Sequence, residues 1–454
     1  MVIYKQVNRK IIKITAFPKG NEMSDEQSNQ IFDKFLFPKI FHTFRIAIQP
    51  SKLIIAFLAV AVICLAGWLM DFSRTVVTTP YTKGQQTELQ VYIADPPRVK
   101  SYIEGYSYNR DRLGVFSTLW HYNSARFHDA LNCLLVLDGR GMAQNISYYF
   151  KSLAWALRYH TFYFVIFLLI KLAVISIAAG GICRIAALQF ARGEKPGLTE
   201  ALRFSLKKFT ALFTAPLIPA AIIILIGLCI SLLGLVGNIP WAGELLVGLF
   251  TPLTLIAGAL IAIVIIGTLA GFNLMFPAIA YDGSDNFDAI SRSFSYVFTR
   301  PWRMAFYTAV AAVYGAVCYL FVRLFAFLLL WSARLFLQWG LWANCRNKGV
   351  NKVDVIWPSS TFMNLPGPMA SGTANWSESI AAFLIHLCVL VVVGLVVAFV
   401  ISFYFSANTI IYALIRNKAD DTALEDIYIP AHPDEAKTEP AAEQKTEETQ
   451  SPPE

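Results

Sequence analysis

The sequence predicts an all-α membrane protein with six transmembrane helices arranged as three hairpins, each preceded by a cytoplasmic amphipathic interfacial helix. Of the 454 residues, 56% are hydrophobic and 15% are charged, with a mean hydropathy of +0.52, whereas a soluble protein carries about 25% charge. Six apolar stretches are long enough to cross the bilayer, which takes about 20 residues. Amphipathic stretches precede three of them. This composition excludes a soluble enzyme, a disordered protein and a collagen-like fibre.

None of the six predicted spans contains an acidic residue. They cover residues 53–70, 161–187, 211–236, 245–276, 304–330 and 380–412. The first is short, whereas the fourth and sixth are long. We therefore expect the two long spans to tilt or to continue past the membrane surface.

These spans divide the chain into five parts. The parts are a basic N-terminal segment with an amphipathic helix (1–52), the first span (53–70), an external helical insert (71–160), spans two to six with an external loop at 331–379 (161–418), and an acidic disordered tail (419–454). The tail holds eleven acidic residues and two lysines, a composition that buries too little apolar surface to fold. In the insert, residues 113–137 and 142–159 are expected to form two helices.

Lysine and arginine cluster at the same ends of the spans, within 1–52, 184–208, 292–303 and 416–418. By the positive-inside rule these segments are cytoplasmic, so both termini face the cytoplasm of a bacterium and the protein lies in its inner membrane. Seven basic residues in or beside the predicted surface helices are expected to contact lipid headgroups. They are Arg184, Arg203, Lys207, Lys208, Arg292, Arg300 and Arg303. No basic run with interleaved aromatic residues indicates nucleic-acid binding.

A threefold internal repeat underlies this layout. Residues 198–209 and 287–298 each begin with an acid and alanine, and each then places apolar residues at helical spacing. Each stretch leads to a proline at or near the start of its span, Pro216 and Pro301, and the similar stretch 31–48 leads to Pro50. Proline ends a surface helix and lets the chain turn into the bilayer. Common juxtamembrane helices are the alternative explanation.

Three stretches together resemble a family of bacterial polytopic membrane proteins of uncharacterised function. They are residues 280–293, residues 296–301, and the ending from Tyr412 to Arg416 that continues through Asp420, Asp421 and Thr422 to Leu424 and Tyr428. More distantly, the layout is similar to that of YciC-like proteins and of the membrane domain attached to some glycerophosphodiester phosphodiesterases. The resemblance covers roughly 161–430 and implies a membrane fold. It implies no phosphodiesterase activity, because no catalytic domain is present.

Lys171, Arg323 and His386 form a candidate intramembrane polar site. Lys171 lies ten residues into the second span, about 15 Å deep at 1.5 Å per residue. A charge at that depth costs several kcal/mol unless it is paired or hydrated. Either it serves an anionic substrate or headgroup, or its amine reaches the surface or a backbone carbonyl. Arg323 and His386 share a depth in the outer halves of the fifth and sixth spans.

Two further patterns concern packing. Gly267 and Gly271 form a GxxxG motif that lets another helix approach closely, either within the chain or from a second copy. Cys133 and Cys345 are the two cysteines in the predicted external segments, where an oxidising compartment permits a disulfide. No cysteine and histidine spacing indicates a metal site, and no metal or cofactor is expected.

The sequence contains no GxSxG, P-loop, HExxH or GxGxxG motif and no paired carboxylates placed for acid–base catalysis. The leading hypothesis is therefore a non-catalytic envelope scaffold or assembly factor that works through contacts with membrane lipids, with other membrane proteins or with itself. The alternative is a channel or transporter for a small or lipid-like substrate, with Lys171, Arg323 and His386 along the path. A third hypothesis, a membrane enzyme acting on lipid, lacks a visible nucleophile.

Overall fold

A computed structural model describes residues 37–81, 84–106, 112–341, 351–368 and 375–429. After a 3₁₀ turn at Phe37–His42, the helices in chain order are α1 (Thr43–Ala47), α2 (Pro50–Met70), α3 (Glu88–Ala94), α4 (Arg98–Gly105), α5 (Val115–Val136), α6 (Gly139–Tyr159), α7 (Thr161–Arg192), α8 (Leu198–Lys207), α9 (Phe209–Thr214), α10 (Leu217–Val236), α11 (Ala242–Asp282), α12 (Asn286–Thr299), α13 (Pro301–Gly340), α14 (Lys352–Ile356) and α15 (Trp376–Ala419).

Six of these helices are long and apolar enough to cross a membrane: α2, α7, α10, α11, α13 and α15. We call them the first to sixth spans. The prediction of an all-α membrane protein with six spans is confirmed. The third span begins at Leu217 rather than at residue 211, because the chain breaks at Pro216 and the preceding residues form the separate helix α9.

The second, fourth and sixth spans contact one another and form the centre of the bundle. Every residue is buried in 178–188 of the second span, 274–281 of the fourth and 405–416 of the sixth. Six of the eleven residues in 178–188 are alanine or glycine, and such small residues let membrane helices pack closely. The first span packs between the second and sixth, the third packs on the fourth, and the fifth packs on the sixth.

Each hairpin is preceded by a helix that packs on one of the central spans, which confirms the three-hairpin layout. Helix α8 packs on the second span, α12 on the fourth, and α1 with its preceding turn on the sixth. A Cβ atom built at Gly267 would lie 2.8 Å from the ring of Phe294, and one at Gly271 would lie 3.4 Å from Ser293, both in α12. The GxxxG motif therefore serves packing within the chain. We call this end of the bundle the helix side.

The insert between the first two spans covers the opposite end, which we call the insert side. Its two long helices, α5 and α6, match the predicted ones and pack against each other. The sequence did not predict a small antiparallel sheet, in which β1 (Val76–Tyr81) lies between β2 (Gly84–Thr87) and β3 (Arg112–Leu113). Asp71, at the end of the first span, accepts hydrogen bonds from the N–H groups of Phe116 and Ser117, and this fixes the start of α5.

The structure differs from the prediction at two boundaries, the end of the fifth span and the start of the C-terminal tail. The fifth span continues as a helix to Gly340, into the predicted loop 331–379, and α14 follows within that loop. The chain after the sixth span is packed against the bundle as far as residue 429, because the N–H of Tyr428 donates to the carbonyl of Tyr281 at 2.9 Å. The prediction that the tail is disordered from residue 419 is therefore wrong for 420–429, and 430–454 lie outside the described residues.

Candidate functional site

The stretches that carry the family resemblance meet where the fourth span ends on the helix side. The carboxylate of Asp282 lies 3.2 Å from Nε of Arg416 and 3.1 Å from Nη1 of Arg292, and the hydroxyl of Tyr412 donates a hydrogen bond to it. Arg416 also donates to the carbonyl and to the carboxylate of Asp426, at 2.7 and 3.0 Å. Together these five side chains form what we call the acid–arginine cluster.

Tyrosines extend this cluster to the chain beyond the sixth span. The hydroxyl of Tyr281 donates to the carbonyl of Leu424, and that of Tyr296 donates to the carboxylate of Asp420 at 2.5 Å. Burial and the neighbouring Asp420 carboxylate raise the pKa of Tyr296 above its usual range. Neutral tyrosine is the form that can donate this bond. The cluster thus joins the fourth span, the sixth span, α12 and the C-terminal segment.

Two of the predicted headgroup contacts point into the protein instead. Arg184 is 5% exposed, donates to the carbonyl of Ala280 at 3.1 Å and lies 4.9 Å from the ring centroid of Phe204. Lys208 donates to the carbonyl of Gly283 at 2.6 Å. Both cations meet the carbonyl end of the fourth span, where the helix dipole favours positive charge. The prediction of lipid contact was wrong for Arg184. The amine of Lys208 binds a carbonyl of the protein itself.

The remaining predicted headgroup residues divide by exposure. Arg292 pairs with Asp282 and Asp288 and is partly exposed. Arg300 is half-buried, whereas Arg203, Lys207 and Arg303 are exposed. Headgroup binding by these basic residues stays a prediction.

Lys171 is half-buried in the insert-side half of the second span. Helical spacing places Ala178 and Ile182 on the same face, seven and eleven residues further on, and both are buried in the centre of the bundle. Within the described part of the chain, its amine takes part in no hydrogen bond or ion pair. An unpaired amine at this depth can bind an anion or a phosphate group.

Arg323 has a structural role that accounts for its charge. Its guanidinium donates to the carbonyls of Phe362 and Met363 at 2.9 and 2.7 Å, and to the hydroxyl of Tyr319 at 2.6 Å. It therefore holds the segment 351–368 against the fifth span. His386 is half-buried in the sixth span. No contact among the described residues joins Lys171, Arg323 and His386 into one site.

A second polar group lies where the insert meets the second span. Glu88 is 1% exposed, and its carboxylate accepts a hydrogen bond from the N–H of Val77 at 2.7 Å. Its other oxygen lies 3.3 Å from Nε2 of His160, and Nδ1 of His160 lies 3.3 Å from Oγ1 of Thr75. The ring of Trp155 meets the imidazole edge-on, with centroids 4.9 Å apart. We call Thr75, His160 and Glu88 the junction triad.

A cavity of about 370 Å³ lies beside the junction triad. Thr75 and His160 line it, together with apolar side chains from the end of the first span and the start of the second. The other lining residues are Met70, Ser73, Tyr159, Thr161, Phe162, Tyr163 and Ile166. This cavity combines an apolar wall with a hydroxyl group and an imidazole.

The predicted disulfide is not described, because Cys345 lies outside the described residues. Among the residues that the structure describes, no group of three or more histidine, cysteine, aspartate or glutamate side chains is placed to hold a metal ion. No protein-family model, no curated protein and no solved structure matches the chain.

Neither polar group was predicted from the sequence. A signal for the first was available: Asp282 and Arg416 each follow a predicted span closely, on the same side, with opposite charge. The sequence contains no such signal for the junction triad. Glu88 and His160 are 72 positions apart, and the small sheet that brings Thr75 close to Glu88 was not predicted.

Proposed function

We propose that the protein is a scaffold or assembly factor that holds another membrane protein through helix contacts within the bilayer. The distribution of lysine and arginine supports a place in a bacterial inner membrane with both termini in the cytoplasm.

The hairpin of the third and fourth spans carries this proposal. The third span packs on the fourth, and large side chains face outward on both, such as Leu225 at 62% exposed and Leu255 at 70%. Cβ atoms built at Gly227 or Gly258 would meet no atom within 4 Å. Open glycines let a partner helix approach more closely than lipid chains require. The occupant that fits is a transmembrane helix of another protein.

Site-specific photocrosslinking in native membranes tests the proposal. A photoreactive amino acid at position 225 or 255 should give a discrete protein adduct, whereas the same group at the buried position 275 should give none. Adducts with lipid alone at both exposed positions would contradict the scaffold function. The partner is then identified from the adduct by mass spectrometry.

Transport is the second candidate, and the unpaired amine of Lys171 is the observation that favours it. A small anion or a lipid phosphate is the matching substrate. The continuously buried stretches of the three central spans on the helix side favour the scaffold instead, because a transport path needs polar or hydrated surface. A Lys171→Leu variant that is produced at the wild-type level but loses uptake of an anionic substrate would favour transport.

A further inference from the structure

The junction triad has the relationship of a nucleophile, a base and a group that orients the base. A carboxylate only accepts hydrogen bonds. In the neutral imidazole, the proton therefore lies on Nε2 of His160, facing Glu88, and Nδ1 is left as an acceptor. The group within reach of Nδ1 is the hydroxyl of Thr75, at 3.3 Å. The hydroxyl then donates its hydrogen to the nitrogen that can remove it.

The surroundings hold this arrangement in place. Glu88 is buried and is fixed by the N–H of Val77, so its carboxylate cannot turn away from the imidazole without losing a backbone hydrogen bond. Trp155 packs against one edge of the imidazole ring. Thr75, by contrast, is exposed and lines the cavity. The base is thus rigidly held, and the nucleophile is open to a substrate.

The start of the second span forms part of the wall of the cavity. Thr161, Phe162 and Tyr163 line it, and they are the first three residues of the second span. N–H groups in the first turn of a helix have no acceptor within that helix, and the dipole there favours an anion. Such donors stabilise the oxyanion of an acyl-transfer intermediate when they point at it.

We propose that the junction triad hydrolyses an acyl ester of a membrane lipid. Thr75 Oγ1 attacks the ester carbonyl carbon, and His160 Nδ1 accepts the hydroxyl proton. The carbonyl re-forms, the bond to the alcohol oxygen breaks, and His160 returns the proton to that oxygen. Water then attacks the acyl-threonine with His160 as base, and this releases the fatty acid and restores the hydroxyl. Thr75 and His160 are catalytic residues, and Glu88 is a positioning residue.

The position of the cavity identifies the substrate as a lipid ester. Its walls include Met70 at the end of the first span and Phe162 and Ile166 at the start of the second. These elements place the opening at the membrane surface, where an acyl chain reaches apolar walls while its ester meets the triad. This activity belongs to the insert and goes beyond the proposed scaffold function, which rests on a different part of the molecule.

The test uses the full-length protein reconstituted in vesicles of phosphatidylethanolamine and phosphatidylglycerol, with release of free fatty acid as the measurement. We expect wild-type protein to release fatty acid. Thr75→Ala and His160→Gln should each lower the rate by about 10²–10⁴-fold, the usual contribution of base-assisted catalysis. Thr75→Ser should retain activity, because serine supplies the same hydroxyl. Ser101→Ala, an exposed hydroxyl elsewhere in the insert, is the matched control and should be unchanged.

Glu88 needs a measurement that a loss of folding would not mimic. With p-nitrophenyl octanoate as soluble substrate, Glu88→Gln should lower kcat and leave KM unchanged, and Glu88→Asp should recover part of the loss. Three results would overturn the proposal: no fatty acid released by wild-type protein, full activity in Thr75→Ala, or a loss that follows Ser73→Ala instead. Cleavage of the soluble ester without any release from lipid would overturn the assignment of a lipid substrate.

Discussion

Asp282 and Arg416 form an ion pair, 3.2 Å between Oδ1 and Nε, at the point where the fourth and sixth spans leave the apolar part of the bundle. Both side chains are largely buried, at 7% and 10% exposed. A pair of this kind gives little net stability, because desolvation offsets its attraction, but removing one partner leaves the other charge buried and unpaired. Replacing Asp282 therefore tests how much the acid–arginine cluster contributes to the stability of the protein.

The first prediction concerns that residue. We expect Asp282→Ala to destabilise the protein by about 1–3 kcal/mol, because the buried hydroxyl of Tyr412 loses its acceptor and Arg416 retains only the exposed carboxylate of Asp426. The measurement is thermal unfolding in detergent, supported by the yield of folded protein. Asp288→Ala is the matched control: this acid also pairs with Arg292 but is 46% exposed, so its loss should cost less than about 1 kcal/mol. Equal effects for the two variants would contradict the role of the cluster.

Much of the fold was predictable from the sequence, and the polar contacts were not. The spans and the long insert helices follow from apolar runs and helical spacing, which are local properties of the chain. The direction of Arg184 depends on which carbonyls lie beside it, and Ala280 is 96 positions away. Basic residues at a membrane surface have the same sequence pattern whether they face headgroups or the end of a neighbouring helix. Long-range packing makes that choice.

The second prediction separates backbone strain from crowding at two glycines. Gly283 and Gly193 both have positive φ, +66° and +73°. A Cβ atom at Gly283 would lie 2.4 Å from the ring of Tyr428, whereas one at Gly193 would meet nothing within 4 Å. Gly193→Ala should cost about 1 kcal/mol for the left-handed conformation alone. Gly283→Ala should cost about 1–3 kcal/mol more, because the C-terminal segment is displaced.

Unfolding temperatures of the two alanine variants in the same detergent measure this difference. Limited proteolysis gives a second readout, since displacement of Tyr428 should make the C-terminal segment easier to cleave in Gly283→Ala only. Identical unfolding and cleavage in the two variants would mean that Tyr428 does not pack against Gly283.

The third prediction is a pH dependence that arises from His128 in α5. Burial lowers the pKa of this histidine below its ordinary value, and Arg323 lowers it further, while Asp129 opposes them. The unfolded chain therefore binds the proton more readily than the folded protein does. The contribution of neutral His128 to the stability of the folded protein is complete above about pH 6.5 and is lost as the pH falls below that value.

Unfolding temperatures at about pH 7.5 and about pH 5.5, on either side of the ordinary histidine pKa, measure this effect. Between these two pH values, the unfolding temperature of His128→Gln should fall less than that of wild-type protein. His121→Gln, an exposed histidine on the same helix, should behave as the wild type does. If the fall in unfolding temperature were the same in His128→Gln as in wild-type protein, the pH dependence would arise from other groups.

The last prediction distinguishes the two roles considered for Arg323. If it holds the segment 351–368, Arg323→Ala frees the carbonyls of Phe362 and Met363 and makes this segment more susceptible to protease. Arg323→Lys should not restore protection, because an ammonium lacks the planar donors that reach both carbonyls and Tyr319 together. Cleavage sites are mapped by mass spectrometry in detergent, with exposed Arg303→Ala as the control. If Arg323 instead served a transport path, cleavage would stay at the wild-type rate and uptake of an anionic substrate would fall.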